Sequence, residues 1–121
     1  MSFQNSTDSS SRTFNEESIQ HSTDKDNIII TAALPYANGE IHLGHIASTY
    51  LPADIFARYS RLAGKDVCYV CGTDDYGTPV LVKAEQENKS PSAYVDYWNK
   101  KDYQDFKSIG ISFDFFSKTA C

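Results

Sequence analysis

Pro35-Tyr36-Ala37-Asn38-Gly39-Glu40-Ile41-His42-Leu43-Gly44-His45 is the stretch that decides the fold. It follows a continuous apolar run, Ile28-Ile29-Ile30-Thr31-Ala32-Ala33, and precedes a long helical pattern. The run reads as a buried, parallel-type strand ending at a Pro-Tyr-Ala-Asn-Gly turn. Two imidazoles, His42 and His45, then stand at the mouth of a helix, where free backbone N–H groups and the positive dipole end attract anions. That placement predicts a phosphate site, with Gly44 leaving room for a ligand to approach the backbone. A lone histidine at a helix start would read as bonded to nearby carbonyls; the paired spacing and the strand-to-helix setting argue against that here.

Working outward, Ile46, Tyr50, Leu51, Ile55, Tyr59 and Leu62 recur at helical spacing, with Arg58 and Arg61 on the other side and Gly64 as the stop. Pro52 lacks an amide donor and would meet the carbonyl four residues back, so a kink or break is expected near residues 49–52. Val67-Cys68-Tyr69-Val70-Cys71 reads as a second buried strand. Strand, helix and strand predict a right-handed β-α-β crossover, which brings the histidine motif and residues 72–75 to the same carboxyl edge of the sheet, where ligands bind. The remainder reads as helical, with Thr78 capping a helix opened by Pro79, and Ser90-Pro91 opening another that ends at Gly110. In that last helix Tyr94, Tyr97, Trp98, Tyr103 and Phe106 form an apolar face, read as packing and not as base stacking.

Asp74 and Asp75 follow the second strand, beside the phosphate site. Asp74, at the strand end, is the ligand-binding candidate, for a cationic group or a magnesium ion; Asp75 reads equally well as a cap or dipole complement. Cys68 and Cys71 sit three apart on a strand and face opposite sides, and two histidines without a third ligand make no zinc set, so no metal site is expected.

Residues 1–26 hold ten Ser or Thr and five acids against Arg12 and Lys25, a composition that reads as a disordered polar tail and unlike a transit or secretory peptide. The net charge is −5, of which nine basic and eleven acidic residues belong to 27–121. No broad basic footprint announces nucleic acid. No stretch approaches the roughly 20 apolar residues of a membrane span, and three cysteines without a signal suit a reducing compartment, so a cytoplasmic location is expected.

Thr31-Ala32-Ala33-Leu34 together with the opening motif resembles the first signature of class I aminoacyl-tRNA synthetases, and in detail the methionine branch. Cys71-Gly72-Thr73-Asp74-Asp75-Tyr76-Gly77-Thr78-Pro79 and Tyr50-Leu51-Pro52-Ala53-Asp54-Ile55-Phe56-Ala57-Arg58-Tyr59 are similar to the same branch, with Asp75 where the family often has Glu. The resemblance covers residues 27 to about 119. It implies an α/β fold, the first β-α-β half of a Rossmann-like, HUP-type parallel-sheet catalytic domain, with 27–121 an incomplete portion of it.

It further implies an ATP-dependent enzyme that, with Mg2+, joins methionine to AMP and passes it to tRNA(Met). His42 and His45 would be catalytic; Asn38, His42, Gly44 and His45 would bind ATP; Ala33, Leu34 and Tyr36 would line the methionine pocket, and Asp74 would pair with the substrate ammonium. The family's Lys-Met-Ser-Lys-Ser loop, zinc knuckle and anticodon-binding domain are not in this sequence, so zinc would belong to the parent enzyme, tRNA contacts to downstream domains, and the isolated chain is expected to be inactive. The alternatives are a nucleotidylyltransferase that also uses His-x-Gly-His, and a non-catalytic ATP-binding remnant.

Overall fold

The computed structural model describes residues 26–120. The expected disordered tail lies outside them except for Asp26, which is ion-paired with Lys65. Strand β1 (Asn27–Thr31) leads through the motif into a short helix α1 (Leu43–His45), a π-helical turn (Ile46–Tyr50) and helix α2 (Leu51–Leu62). Strand β2 (Asp66–Thr73), helices α3 (Thr78–Gln86) and α4 (Pro91–Ser108) and strand β3 (Phe115–Lys118) follow. The sheet order is β1-β2-β3, all parallel, with Ile29 beside Cys68 and Val70 beside Phe115. The α/β parallel-sheet class is as the sequence implies; β3 was not expected, because four residues after a glycine, two of them polar, carry no strand period.

The expected irregularity before Pro52 is the π turn: the Leu51 N–H bonds the Ile46 carbonyl, five residues back. The wider turn hands the chain to Pro52 at the start of α2, where a missing N–H costs nothing. Tyr50, Asp54, Ala57 and Ser60 point inward, whereas Leu51, Ile55, Tyr59 and Leu62 are exposed, Leu62 at 90%. Of the apolar face read from spacing, Tyr50 lies in the core with Ile46 packed against it, and only the four positions within α2 face outward. Small Ala57 lets α2 lie close to the sheet, and Asp54 is carried inward for a bonding role described below.

The main core gathers Ile30, Tyr50, Ala57, Tyr69, Cys71, Phe106 and Ile111, so α2 and α4 cover the same face of the sheet. Alternation puts Ile29 and Phe115 on the other face, 74% and 68% exposed. A second core joins α3 and α4 through Val80, Ala84, Tyr94 and Val95 and takes in Ala37 from the motif. On α4, Tyr94 and Phe106 are buried but Tyr97 and Tyr103 are exposed, so the aromatic stripe is split between core and surface. Gly77, at φ +124°, precedes α3 as its N-cap in a conformation suited to glycine, and Thr78 is the first helical residue and not the cap. Gly72 is required by packing: a Cβ there would stand 2.7 Å from the Ser117 carbonyl oxygen across the β2–β3 pair.

Candidate active site

β1 and β2 pair in register up to Thr31 and Val70, and pairing resumes at Tyr36 and Asp74. Asp74 donates its N–H to the Pro35 carbonyl (2.8 Å) and accepts at its own carbonyl from Ala37 N–H (3.0 Å). The candidate ammonium ligand and the histidine motif are thus tied backbone to backbone on one rim of the sheet. Ala37 is wholly buried between α3 and α4, and Tyr94 donates its hydroxyl to the Asn38 carbonyl (3.3 Å), so the turn is held from below while Tyr36 beside it stays 55% exposed.

His42 is the N-cap of α1: its Nδ1 accepts the His45 N–H at 3.3 Å. That bond occupies the Nδ1 lone pair, which leaves Nε2 to carry the ring proton and act as a donor. The His45 ring stacks on it, centroids 3.6 Å apart and planes at 26°, and both residues are exposed. Gly44 has a more definite reason than ligand access: a Cβ would stand 3.0 Å from His42 Cε1 and Nδ1, so the glycine makes room for the ring. Ser48 donates to the Gly44 carbonyl (2.7 Å) and steadies the turn from within. The arrangement offers exposed imidazole donors beside backbone N–H groups, suited to an anionic ligand.

Ala33 and Leu34 are exposed on the strand end leading into the motif, Leu34 at 45%. The Asp74 carboxylate, partly exposed, accepts from the Tyr76 N–H (3.3 Å) and keeps acceptor capacity for a ligand. Asp75 is different: it is 6% exposed, and its carboxylate accepts from the Thr73 hydroxyl (2.7 Å) and the Ala120 N–H (2.9 Å). It closes the end of β2 against the segment after β3 and is a structural residue. A cavity of about 320 Å³ lies between α3 and α4, bordered by Tyr76, Leu81, Pro91 and Val95, and not over the histidines, where the surface is an open rim.

Cys71 lies in the core, where burial pushes its thiol up to about 11, and Cys68 is on the other face of the same strand. Among the described residues no three His, Cys, Asp or Glu side chains come together in a way that could hold a metal ion, and no helix is long and apolar enough to cross a membrane. Sequence reading missed the structural duties of Ala37 and of Tyr50, whose hydroxyl donates to the Ala33 carbonyl (2.9 Å). Residues 37 and 50 look like ordinary loop and helix positions until the long-range pairing is known.

The chain matches the family described as tRNA synthetases class I (M) over residues 28–121. It is 54% identical over 76% of its length to a methionine–tRNA ligase of Rubrobacter xylanophilus and 51% identical over 76% to one of Thermoplasma acidophilum, spanning 16% and 17% of those proteins. Its structure is similar to Mycobacterium tuberculosis methionyl-tRNA synthetase bound by methionyl-adenylate, with a TM-score of 0.75 and 29% identity over 78% of this chain and 19% of that one. With 94 consecutive residues described by one family, and the histidine turn and Asp74 sharing a rim, the chain belongs to the class I methionyl-tRNA synthetases.

Proposed function

We propose that residues 27–121 form the first part of a Rossmann-like catalytic domain that activates methionine with ATP and serves its transfer to tRNA(Met). The observation that supports this is the Tyr36–Asp74 pairing, which ties the segment leading to the two exposed imidazoles to the one that carries the Asp74 carboxylate. In this reading the methionine carboxylate attacks the α-phosphorus of ATP, an oxygen–phosphorus bond forms, and pyrophosphate leaves with its electron pair. ATP enters as its Mg2+ complex.

Negative charge spreads over the phosphoryl oxygens as the bond exchange proceeds. Donors fixed beforehand stabilise that charge more than the ground state, and the His42 Nε2–H, held by the capping bond at Nδ1, is such a donor, with His45 stacked beside it. Asn38 and Gly44 would border the nucleotide. Asp74 would hold the substrate ammonium and so orient the carboxylate end toward ATP, while Ala33, Leu34 and Tyr36 give the thioether an apolar wall. A cytoplasmic setting fits a translation enzyme.

Calorimetric titration with methionyl sulfamoyl-adenosine, a non-hydrolysable mimic of the adenylate, tests the reading. Saturable binding should weaken by about tenfold or more in His45→Ala and in Asp74→Asn, the scale of one charge-assisted hydrogen bond. Absence of binding by the wild-type chain, or binding by both variants as tight as the wild type's, would overturn it.

A further inference from the structure

Between the paired positions Thr31–Val70 and Tyr36–Asp74, the first strand has four residues, 32–35, where the second has three, 71–73. The rim therefore carries a one-residue bulge within 32–35, the stretch that holds Ala33 and Leu34. A bulge breaks the ladder locally, leaves backbone groups in need of partners, and re-aims side chains. Here the Ala33 carbonyl takes its hydrogen bond from the Tyr50 hydroxyl at 2.9 Å.

Tyr50 is itself fixed on every side. It is 3% exposed, its ring packs on Phe106 with centroids 4.5 Å apart, and its own carbonyl accepts from the Tyr69 hydroxyl at 3.2 Å. Tyr50 closes the π turn and is buried, while Leu51 after it faces out. Single-turn π segments recur at functional sites because they redirect one side chain without ending the helix. Two one-residue irregularities, a bulge in the strand and a π turn in the helix, thus meet at a single hydrogen bond.

We propose that Tyr50 is a positioning residue for the amino-acid side of the site: through the Ala33 carbonyl it sets how far Leu34 projects from the rim, and so the fit of the substrate's apolar side chain. This rests on the function proposed above. Tyr50 touches neither nucleotide nor substrate, and the phosphate-binding turn is secured by other bonds, so its influence falls on one half of the ligand.

The test compares the wild-type chain with Tyr50→Phe, which removes only the hydroxyl, using ATP and methionyl sulfamoyl-adenosine as separate probes and the Leu34 methyl signals in NMR as a ligand-free readout. Tyr50→Phe should weaken the methionyl mimic about tenfold, the scale of one buried hydrogen bond, leave ATP affinity unchanged, and shift or double the Leu34 methyl signals while those of Leu81 on α3 stay put. A purely structural loss would lower both affinities together and disturb Leu81 as well, and would overturn the inference, as would an unmoved Leu34. If the wild-type chain binds neither probe, the functional reading fails for this chain, and the Leu34 signals still decide whether Tyr50 sets the rim.

Discussion

Two polar clusters at opposite ends of the helical segment 43–62 have opposite characters. At its start, His42 and His45 are exposed and bond chiefly to each other's turn. Farther along, Asp54 accepts from the Ser112 N–H (2.6 Å), the Ser112 hydroxyl (2.5 Å) and Arg58 Nε (2.6 Å), and Arg58 also donates to the Gly110 carbonyl. Arg61 bonds Ser112 and Asp114, and Asp114 accepts the Tyr69 N–H (2.7 Å). The second cluster consumes its polar groups internally and ties α2 to the 109–114 loop; the first leaves donors facing solvent. Charge at a junction that is fully bonded is scaffold, and donors held in place but unspent mark a site.

Breaking the scaffold cluster should have the largest effect. Asp54 is 3% exposed; burial pushes its carboxyl up, but the bonds from Ser112 and Arg58 outweigh this and hold it below the usual range. Asp54→Ala strands the Ser112 N–H and releases Arg58, at a cost of about 3 kcal/mol in urea unfolding. Since the folded-state carboxyl titrates lower than the unfolded one, this stabilisation is present above the unfolded value and fades as pH falls through the folded one. A loss under about 1 kcal/mol would show that the network is decorative.

Asp102 sharpens the comparison from the other direction. It is fully buried on α4, both its oxygens lack partners among the described residues, and burial, aided by Asp105 and opposed by Lys101, pushes it up to about 7. The folded chain then keeps a proton that the unfolded chain has released, so stability falls as pH rises from about 4 to about 7. Asp102→Asn should remove that slope and stabilise the chain at pH 7.5 by about 2 kcal/mol, measured by denaturation across pH. An unchanged slope in the variant would assign it to other groups.

Gly72→Ala probes the β2–β3 seam with no charge involved. The added Cβ meets backbone at Ser117, which cannot turn aside, so β3 must shift, at about 1–2 kcal/mol and several degrees in Tm. A neutral result would mean that β3 is loosely attached.

The parallel sheet beginnings, the crossover helix and the shared rim were legible because apolar runs, turn residues and the His-x-Gly-His spacing are local signals. The face of α2 was not. The spacing of Leu51, Ile55, Tyr59 and Leu62 is a sound helical stripe, yet it lies opposite the face that Ile46 and Tyr50 turn to the core, and a buried Asp54 satisfied from residue 112 cannot be foreseen from a helix alone. Strand β3 escaped for a related reason: Phe115–Lys118 acquires its pairing only from Val70–Thr73. In the candidate site the residue types were readable, whereas the ring of His42 filling the space over Gly44, the bulge and its Tyr50 tether depend on contacts between distant segments.

The smallest expected effect on stability separates site from scaffold most sharply. His42→Ala removes one cap bond of 3.3 Å at an exposed turn, a loss of about 0.5–1 kcal/mol. His45→Ala removes a ring that stacks on His42, and an exposed residue of that kind changes stability by about 0.5 kcal/mol or less. Both variants should therefore melt close to the wild type while losing affinity for methionyl sulfamoyl-adenosine, the reverse of Asp54→Ala, which should unfold early yet keep ligand affinity in the fraction that remains folded. If His45→Ala instead unfolds as readily as Asp54→Ala, the imidazole pair belongs to the scaffold, and the exposed donors at the mouth of the helix no longer single out this rim as the place where phosphate binds.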